Sequence, residues 1–329
     1  MADPVLNYPL QNLGSGDTLA LALKEYSGLV LANFPTATVA LNYGQRRSMP
    51  RGSGKSWQFP AFWRMSGAYH TAGVTLGGEN EPITEERLVT MDTKAYIAHA
   101  WLDDVSDFIQ HFDTRQQIAV ESARDLARHR DSITFQCIIN GARQAARSSF
   151  PAGNTLDSPR TGPISTAYPV SLAGSKNLQS DLAEIAQKMD EKNVPRMGRV
   201  AFLTPYLLRV LRQDKTLATI DYKSPNNNIT RQMVMVEGFM VEETNQMPSA
   251  NITSSSVTGH QTAYQGNYTT TVCCCVGSSD AFGTIYYADV QPIGPHWDEV
   301  RQAWLIGAKQ LAGSNWLRPE ACGEIAIAS

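Results

Sequence analysis

One helical stripe constrains this chain more than any other feature. It begins at Asp113 and can run to about Ala146. Ala119, Ala123, Leu126, Ile133 and Cys137 share a face, with Arg130 interrupting it. Asp113 followed by Gln116 makes a capping-box-like start. Glu121 with Arg124, and Asp125 with Arg128, pair one turn apart on the opposite face. The average globular helix is roughly a third of that length, so the rest of the fold has to be arranged along it.

Before it, residues 1–16 read as extended. Leu19, Leu23, Tyr26 and Val30 then form one face of a short helix that Pro35 cannot continue. No residue from Ser27 to Gln45 is charged, after which Arg46, Arg47 and Arg51 arrive together. Trp57, Phe59, Ala61 and Trp63 alternate with Ser56, Gln58, Phe62 and Arg64, which predicts a strand, with Pro60 keeping it at an edge. A Gly-rich middle separates it from a second run, Arg87 to Ala98. The two make a long hairpin, too small to be stable without neighbours.

After the long helix, Ser148 to Gly174 reads as a linker or ordered loop. Asn177 is expected to cap a helix over Leu178, Leu182, Ile185 and Met189 that Pro195 stops. Strands are expected at Arg199–Leu203, Met233–Val236, Phe239–Glu243, Val272–Val276, Phe282–Val290 and Glu324–Ala328, and helices at Tyr206–Gln213 and His296–Ala312. Asn245 to Tyr268 reads as a polar loop. Strands, helices, then strands without a βαβ period predict an α+β chain.

Charge narrows the function. Lys plus Arg is 28 and Asp plus Glu is 31, a net of −3, unlike the basic balance of a protein that grips nucleic acid tightly. No run of about 18 apolar residues offers a membrane span. The opening MADPVLNYPLQN lacks the basic and apolar regions of a secretory signal, so a soluble, intracellular protein is expected. Cys137, Cys273, Cys274, Cys275 and Cys322 are odd in number, and three in a row cannot form a CxxC knuckle; TTTVCCCV reads as a buried strand. The sequons at Asn228, Asn251 and Asn267 read as chance matches in polar loops.

Motifs for catalysis are weak. Gly52-Ser53-Gly54-Lys55-Ser56 ends like a Walker A loop, but Met49 stands where the first glycine belongs and a strand follows where a helix is required. No histidine lies in HExxH, and no Gly-x-Ser-x-Gly elbow occurs. Asp103, Asp104 and Asp107 suit a helix start, and Glu79, Glu81, Glu85 and Glu86 keep a hairpin tip soluble. Arg124, Arg128, Arg130, Arg143 and Arg147 read as surface ion-pair partners, or as contacts to a polyanion or an acidic neighbour.

Gly16-Asp17-Thr18-Leu19-Ala20-Leu21, Ser53-Gly54-Lys55-Ser56 with Gln58-Phe59-Pro60, His111-Phe112-Asp113-x-Arg115, Gly238-Phe239-Met240-Val241-Glu242-Glu243 and Trp316-Leu317-Arg318-Pro319-Glu320-Ala321-Cys322-Gly323 occur in an informative order. From about Gly16 to Ile327 the chain resembles the major capsid proteins of tailed phages, with the Hong Kong 97-like fold, and within them the short-tailed phages of the T-seven group. The resemblance implies an α+β fold with an N-terminal arm over 1–48 and an extended hairpin loop over 49–90. It further implies a peripheral domain over 91–164 and 277–297 with a spine helix at 113–146, and an axial domain over 165–276 and 298–329.

It also implies a non-enzymatic shell protein without cofactor or metal, whose pentamers and hexamers enclose double-stranded DNA that they contact weakly. Scaffolding and portal proteins are implied partners, and no membrane is. Assembly in the host bacterial cytoplasm and residence in the virion follow. The inter-subunit candidates are Trp57, Phe59, Trp63, Leu19 and Leu23; those for polyanion or interface contact are Arg46, Arg47, Arg124 and Arg128. A cellular encapsulin-like compartment, or a nucleotide hydrolase using Gly52–Ser56, are the alternatives.

Overall fold

The structure, a computed structural model, describes residues 38–62, 67, 69–75, 84–103, 114–147, 150–214, 235–253 and 262–328. The strands are β1 (Gln45–Ser48), β2 (Ser56–Phe62), β3 (Thr84–Thr90), β4 (Tyr96–Asp103), β5 (Asn154–Thr161), β6 (Val200–Leu203), β7 (Met235–Val236), β8 (Phe239–Glu243), β9 (Asn251–Ile252), β10 (Gly266–Asn267), β11 (Thr271–Val276), β12 (Phe282–Asp298), β13 (Ala303–Trp316) and β14 (Cys322–Ala328). Three helices matter here: α1 (Thr114–Ala142), α2 (Leu172–Glu191) and α3 (Pro205–Leu211).

Two sheets share α1. A four-stranded sheet runs β1-β12-β13-β4 and a six-stranded sheet runs β5-β14-β11-β6-β8-β7, while β2 and β3 pair only with each other. The first half of α1 is one-sided: Gln117, Glu121, Arg124 and Arg128 are exposed, and Ala119, Ala123, Leu126 and Ala127 pack with Leu102, Ile306 and Ala308 of the four-stranded sheet. From Ile133 to Ile139 every residue is buried, as expected of a helix enclosed on all sides. There Phe135, Ile138 and Ile139 join the core of the six-stranded sheet.

β11 sits inside that sheet and is buried along its whole length. Successive side chains of a strand face opposite ways, so a strand covered on both faces needs apolar groups at every position; small thiols fill them. Cys274 is in register with Phe202, whose ring meets Phe135 of α1 at 5.0 Å. Burial pushes the thiols of Cys137, Cys274 and Cys322 well up, leaving them as packing groups.

Several expectations are corrected. The run from His296 to Ala312 is strand, the end of β12 and most of β13, pairing in register with β4. A side chain at Gly307 would stand 2.4 Å from the Ala98 carbonyl oxygen, so the backbones meet there too closely for anything but glycine. Tertiary pairing overrides helix propensity. The stretch 303–316 therefore belongs with β4 and β12. The expected loop 148–174 contains β5, which runs parallel to β14 at the edge of the six-stranded sheet. Ser171, not Asn177, caps α2, accepting the Gly174 amide at 3.3 Å.

Arg143 is an exposed ion-pair partner, as expected, but the acid it holds is buried. It closes a fork on Glu324, Nε to Oε2 and Nη2 to Oε1 both at 2.6 Å, and its Nη1 donates to the Asn267 carbonyl at 2.7 Å. The Glu324 side chain is 1% exposed. Removing one partner leaves a buried charge alone. Arg143→Met should therefore lower the stability of the soluble subunit by about 3 kcal/mol or more in urea unfolding; an unchanged midpoint would deny the clamp that role.

Candidate assembly surface

The hairpin β2–β3 has two unlike faces. Phe59, Ala61 and Val89 turn inward; Phe59 and Val89 pack with Met49, Met91, Ile285 and Leu317. Gln58, Pro60, Phe62, Thr84, Glu86 and Leu88 turn outward. Phe62 and Leu88 are 56% and 51% exposed. Two further bonds fix the hairpin to β13 and the segment after it: Asn315 Nδ2 donates to the Leu88 carbonyl at 3.1 Å, and Arg318 Nη2 to that of Phe62 at 3.0 Å.

This corrects one expected contact. Phe59 is 7% exposed within a single chain, because β12 and Leu317 supply the cover that the hairpin itself lacks. Trp57 is half-buried and packs beside the same cluster. Trp63, Leu19 and Leu23 lie outside the described residues. The exposed aromatic of this strand is Phe62, one position out of step with the expected face.

At the hairpin root, basic groups ride on rings. Arg47 lies 4.0 Å over Trp57, Arg46 lies 5.5 Å over Tyr286, and Arg51 lies 5.7 Å over Tyr287, whose hydroxyl accepts from its Nε. Such stacking at exposed sites contributes about 0.5–1 kcal/mol each, and all three arginines remain exposed. Gly52 and Gly54 hold left-handed φ of 90° and 93° in the turn that follows β1, and the chain enters β2 directly. The element that follows this turn is a strand and not a helix, so Gly52–Ser56 lacks the strand–loop–helix geometry that binds phosphate.

On α1, Arg124 and Arg128 share Glu121, at 2.7 and 3.8 Å; Asp125 instead accepts from the Tyr96 hydroxyl at 2.9 Å. Arg130, which interrupts the stripe in sequence, is 1% exposed and donates to Ser314 Oγ at 2.5 Å; that oxygen lies 2.9 Å from Thr284 Oγ1. Its neighbour Asp131 accepts from the amides of Val39 at 2.8 Å and Ala40 at 3.1 Å. Burial pushes the Asp131 carboxyl up to about 6, against those two bonds. It is the point where the segment entering from the N-terminal side is tied to the long helix. Periodicity did not single out Asp131, because its partners are backbone groups 92 and 91 residues away.

Among the described residues, no group of three or more His, Cys, Asp or Glu is placed to hold a metal ion, and no helix is long and apolar enough to cross a membrane. The notable surfaces are an open hairpin face, a basic root and an anchored arm base.

Two sheets strung along one long helix, with a separate two-stranded hairpin, match the fold of solved phage capsids. The chain superposes on the capsid of the cyanophage P-SCSP1u with a TM-score of 0.71 at 23% identity, covering 97% of this chain and 92% of that one. For the mature capsid of bacteriophage PhiM1 the TM-score is 0.69 at 14% identity, covering 97% and 91%. A virus-like particle from Pyrococcus furiosus matches at 0.52 and 10%, covering 92% and 98%. In sequence, the major capsid protein of Enterobacteria phage T3 is 24% identical over 347 residues, covering 96% of this chain and 95% of that protein. The major capsid protein of Escherichia phage T7 is 24% identical over 330 residues, covering 95% and 93%.

Residues 58–326 match the Gp10A-like major capsid protein family, and the chain belongs to it. It is a structural protein of a phage shell. The family match favours this over the cellular-compartment alternative.

The arm clamp makes a prediction. Asp131→Ala removes both acceptors of the Val39 and Ala40 amides. Limited proteolysis should then cut near residues 38–43 about tenfold faster, the effect of some 1.4 kcal/mol. Equal cutting rates in the two proteins would show that the arm base is held by other means.

Proposed function

We propose that many copies of this chain close into an icosahedral head of pentamers and hexamers around double-stranded DNA. The observation that carries this is the two-faced hairpin. Its inner face is consumed by the chain's own core, while Phe62 and Leu88 stand open beside Pro60 on the other. Exposed large apolar groups on a fixed strand pair mark a contact surface, and a neighbouring subunit is the natural cover in a capsid family.

The four-stranded sheet with α1 corresponds to a peripheral domain, the six-stranded sheet with α2 and α3 to an axial domain, residues 49–90 to an extended loop and residues before 49 to an arm. Loops and arms overlap neighbours, with Trp57 at the root of that contact. Each contact is weak, and repetition around a closed shell makes the sum strong while early steps stay reversible. Arg46 and Arg47 offer light contact to a polyanion or an acidic neighbour. A net charge of −3 keeps hold of packaged DNA loose. Scaffolding protein and a portal take part in assembly, which proceeds in the host bacterial cytoplasm.

The test pairs folding with assembly. Wild-type subunits incubated with scaffold should sediment as capsomers and shells. Phe62→Ser should unfold within about 0.5 kcal/mol of wild type, as exposed positions do, yet assemble poorly, since buried interface aromatics carry about 2 kcal/mol or more. Normal assembly of this variant would remove the outer face from the contact. A wild type that stays monomeric at every concentration would refute the shell reading itself.

A further inference from the structure

We propose that the cleft between β3 and the end of α1 receives an Asp or Glu side chain of a second copy of this chain, held by Arg87 and Arg147. The cleft has a volume of about 110 Å3, and Arg87, Gln144, Arg147, Phe150, Pro151 and Trp316 are among its walls. Arg87, 8% exposed, lies over the Trp316 ring at 4.4 Å. Stacking on an aromatic face orients a guanidinium before any anion arrives. Arg147 follows the end of α1, with its side chain 72% exposed. One arginine is therefore fixed in the wall, and the other can swing onto a ligand from the rim.

The second, independent observation is a shortage of acceptors. Glu85 serves both arginines, 3.1 Å from Arg87 Nη2 and 3.5 Å from Arg147 Nη1. Even so, neither Arg87 Nε nor Glu85 Oε2 makes a hydrogen bond among the described residues. Buried Glu320 also bears on Arg87 without bonding to it, and lies 3.9 Å from Arg318. Three guanidinium groups thus meet two carboxylates. Burial holds Arg87 below the usual arginine range, and the charge of Arg147 adds to this against the pull of Glu85. A buried donor without an acceptor is costly and rare enough to need a reason. The acceptor that best matches a guanidinium fork is a carboxylate.

The shape of the cleft selects among anions. Phe150, Pro151, Trp316 and Pro319 make its walls largely apolar, which suits the methylene stem of an acidic side chain. The broad, convex backbone of a DNA duplex cannot enter so small a space. A second copy is the source because the cleft adjoins β3, whose Glu86 and Leu88 turn outward on the face assigned above to a neighbouring subunit. The inference rests on that reading and adds the partner's chemistry to it. The chain also carries an excess of acids, 31 Asp and Glu against 28 Lys and Arg.

Charge reversal at the exposed arginine tests the site without disturbing the fold. Arg147→Glu should unfold at the wild-type urea concentration, while its assembly with scaffold should need about ten times more subunit. That difference should shrink as salt is raised, because the lost contact is ionic. Arg147→Lys then identifies the occupant. In shells mixed from unlabelled and isotope-labelled subunits of this variant, a carbodiimide should couple the amine at position 147 to an acid of another subunit, giving a branched peptide of mixed isotope. Normal assembly of Arg147→Glu would overturn the proposal, as would coupling at position 147 only to Glu85 of the same subunit or only to scaffold. Either result with wild-type shells still forming leaves the shell reading in place, whereas a wild type that never assembles ends both.

Discussion

Everything in this subunit hangs on the burial of one helix. Over Ile133–Ile139, α1 has no face toward water, so every turn of it must be matched by apolar side chains or bonded polar ones. Apolar contact alone would let such a helix slide or rotate at little cost. Polar anchors set its register. Arg130 reaches Ser314 of β13, Asp131 holds the amides of residues 39 and 40, Asn140 Nδ2 donates to the carbonyls of Ala263 and Gln265, and Arg143 grips Glu324 of β14. A buried ion or amide left unpaired costs several kcal/mol, more than any single apolar contact returns. The anchors therefore decide where α1 sits, and α1 decides how the two sheets stand.

That rigidity matters for a shell subunit. A contact surface is useful only if it is presented at the same angle in each copy. The hairpin depends on this: two strands alone are marginal, and here they are held by Phe59 and Val89 in a core shared with β12, and by side-chain bonds from Asn315 and Arg318. The inner face supplies the fixing, and the outer face stays open.

Much of the fold was legible in the sequence. The stripe from Ala119 to Cys137, the alternation around Trp57, and the all-apolar TTTVCCCV each map onto the expected element, because helix period, strand period and double-sided burial leave direct traces. The run 296–312 was misread because its spacing suits a helix, whereas its conformation is set by β4 on one side and β12 on the other. Gly307 and Gly313 were the available warning. The loop 148–174 hid β5, whose Pro159 and alternating burial suit an edge strand. For the site, the alternation around Trp57 marks a strand that the structure contains, while Phe59 faces the chain's own core. Phe59 is covered by residues more than 200 positions later, Ile285 and Leu317, which no local pattern reveals. The anchors Asp131, Ser314 and Glu324 were invisible for the same reason, while Arg130 was visible only as an interruption.

Native-state hydrogen exchange on the soluble subunit tests the central role of α1 most directly. If the helix is the common support, amides within residues 133–139 and in the central strands β11 and β13 should exchange only through global opening, with one shared free energy. Protection lost across β12 and β13 at low denaturant, while α1 and β11 stay protected, would show that the two sheets stand independently and would contradict the account.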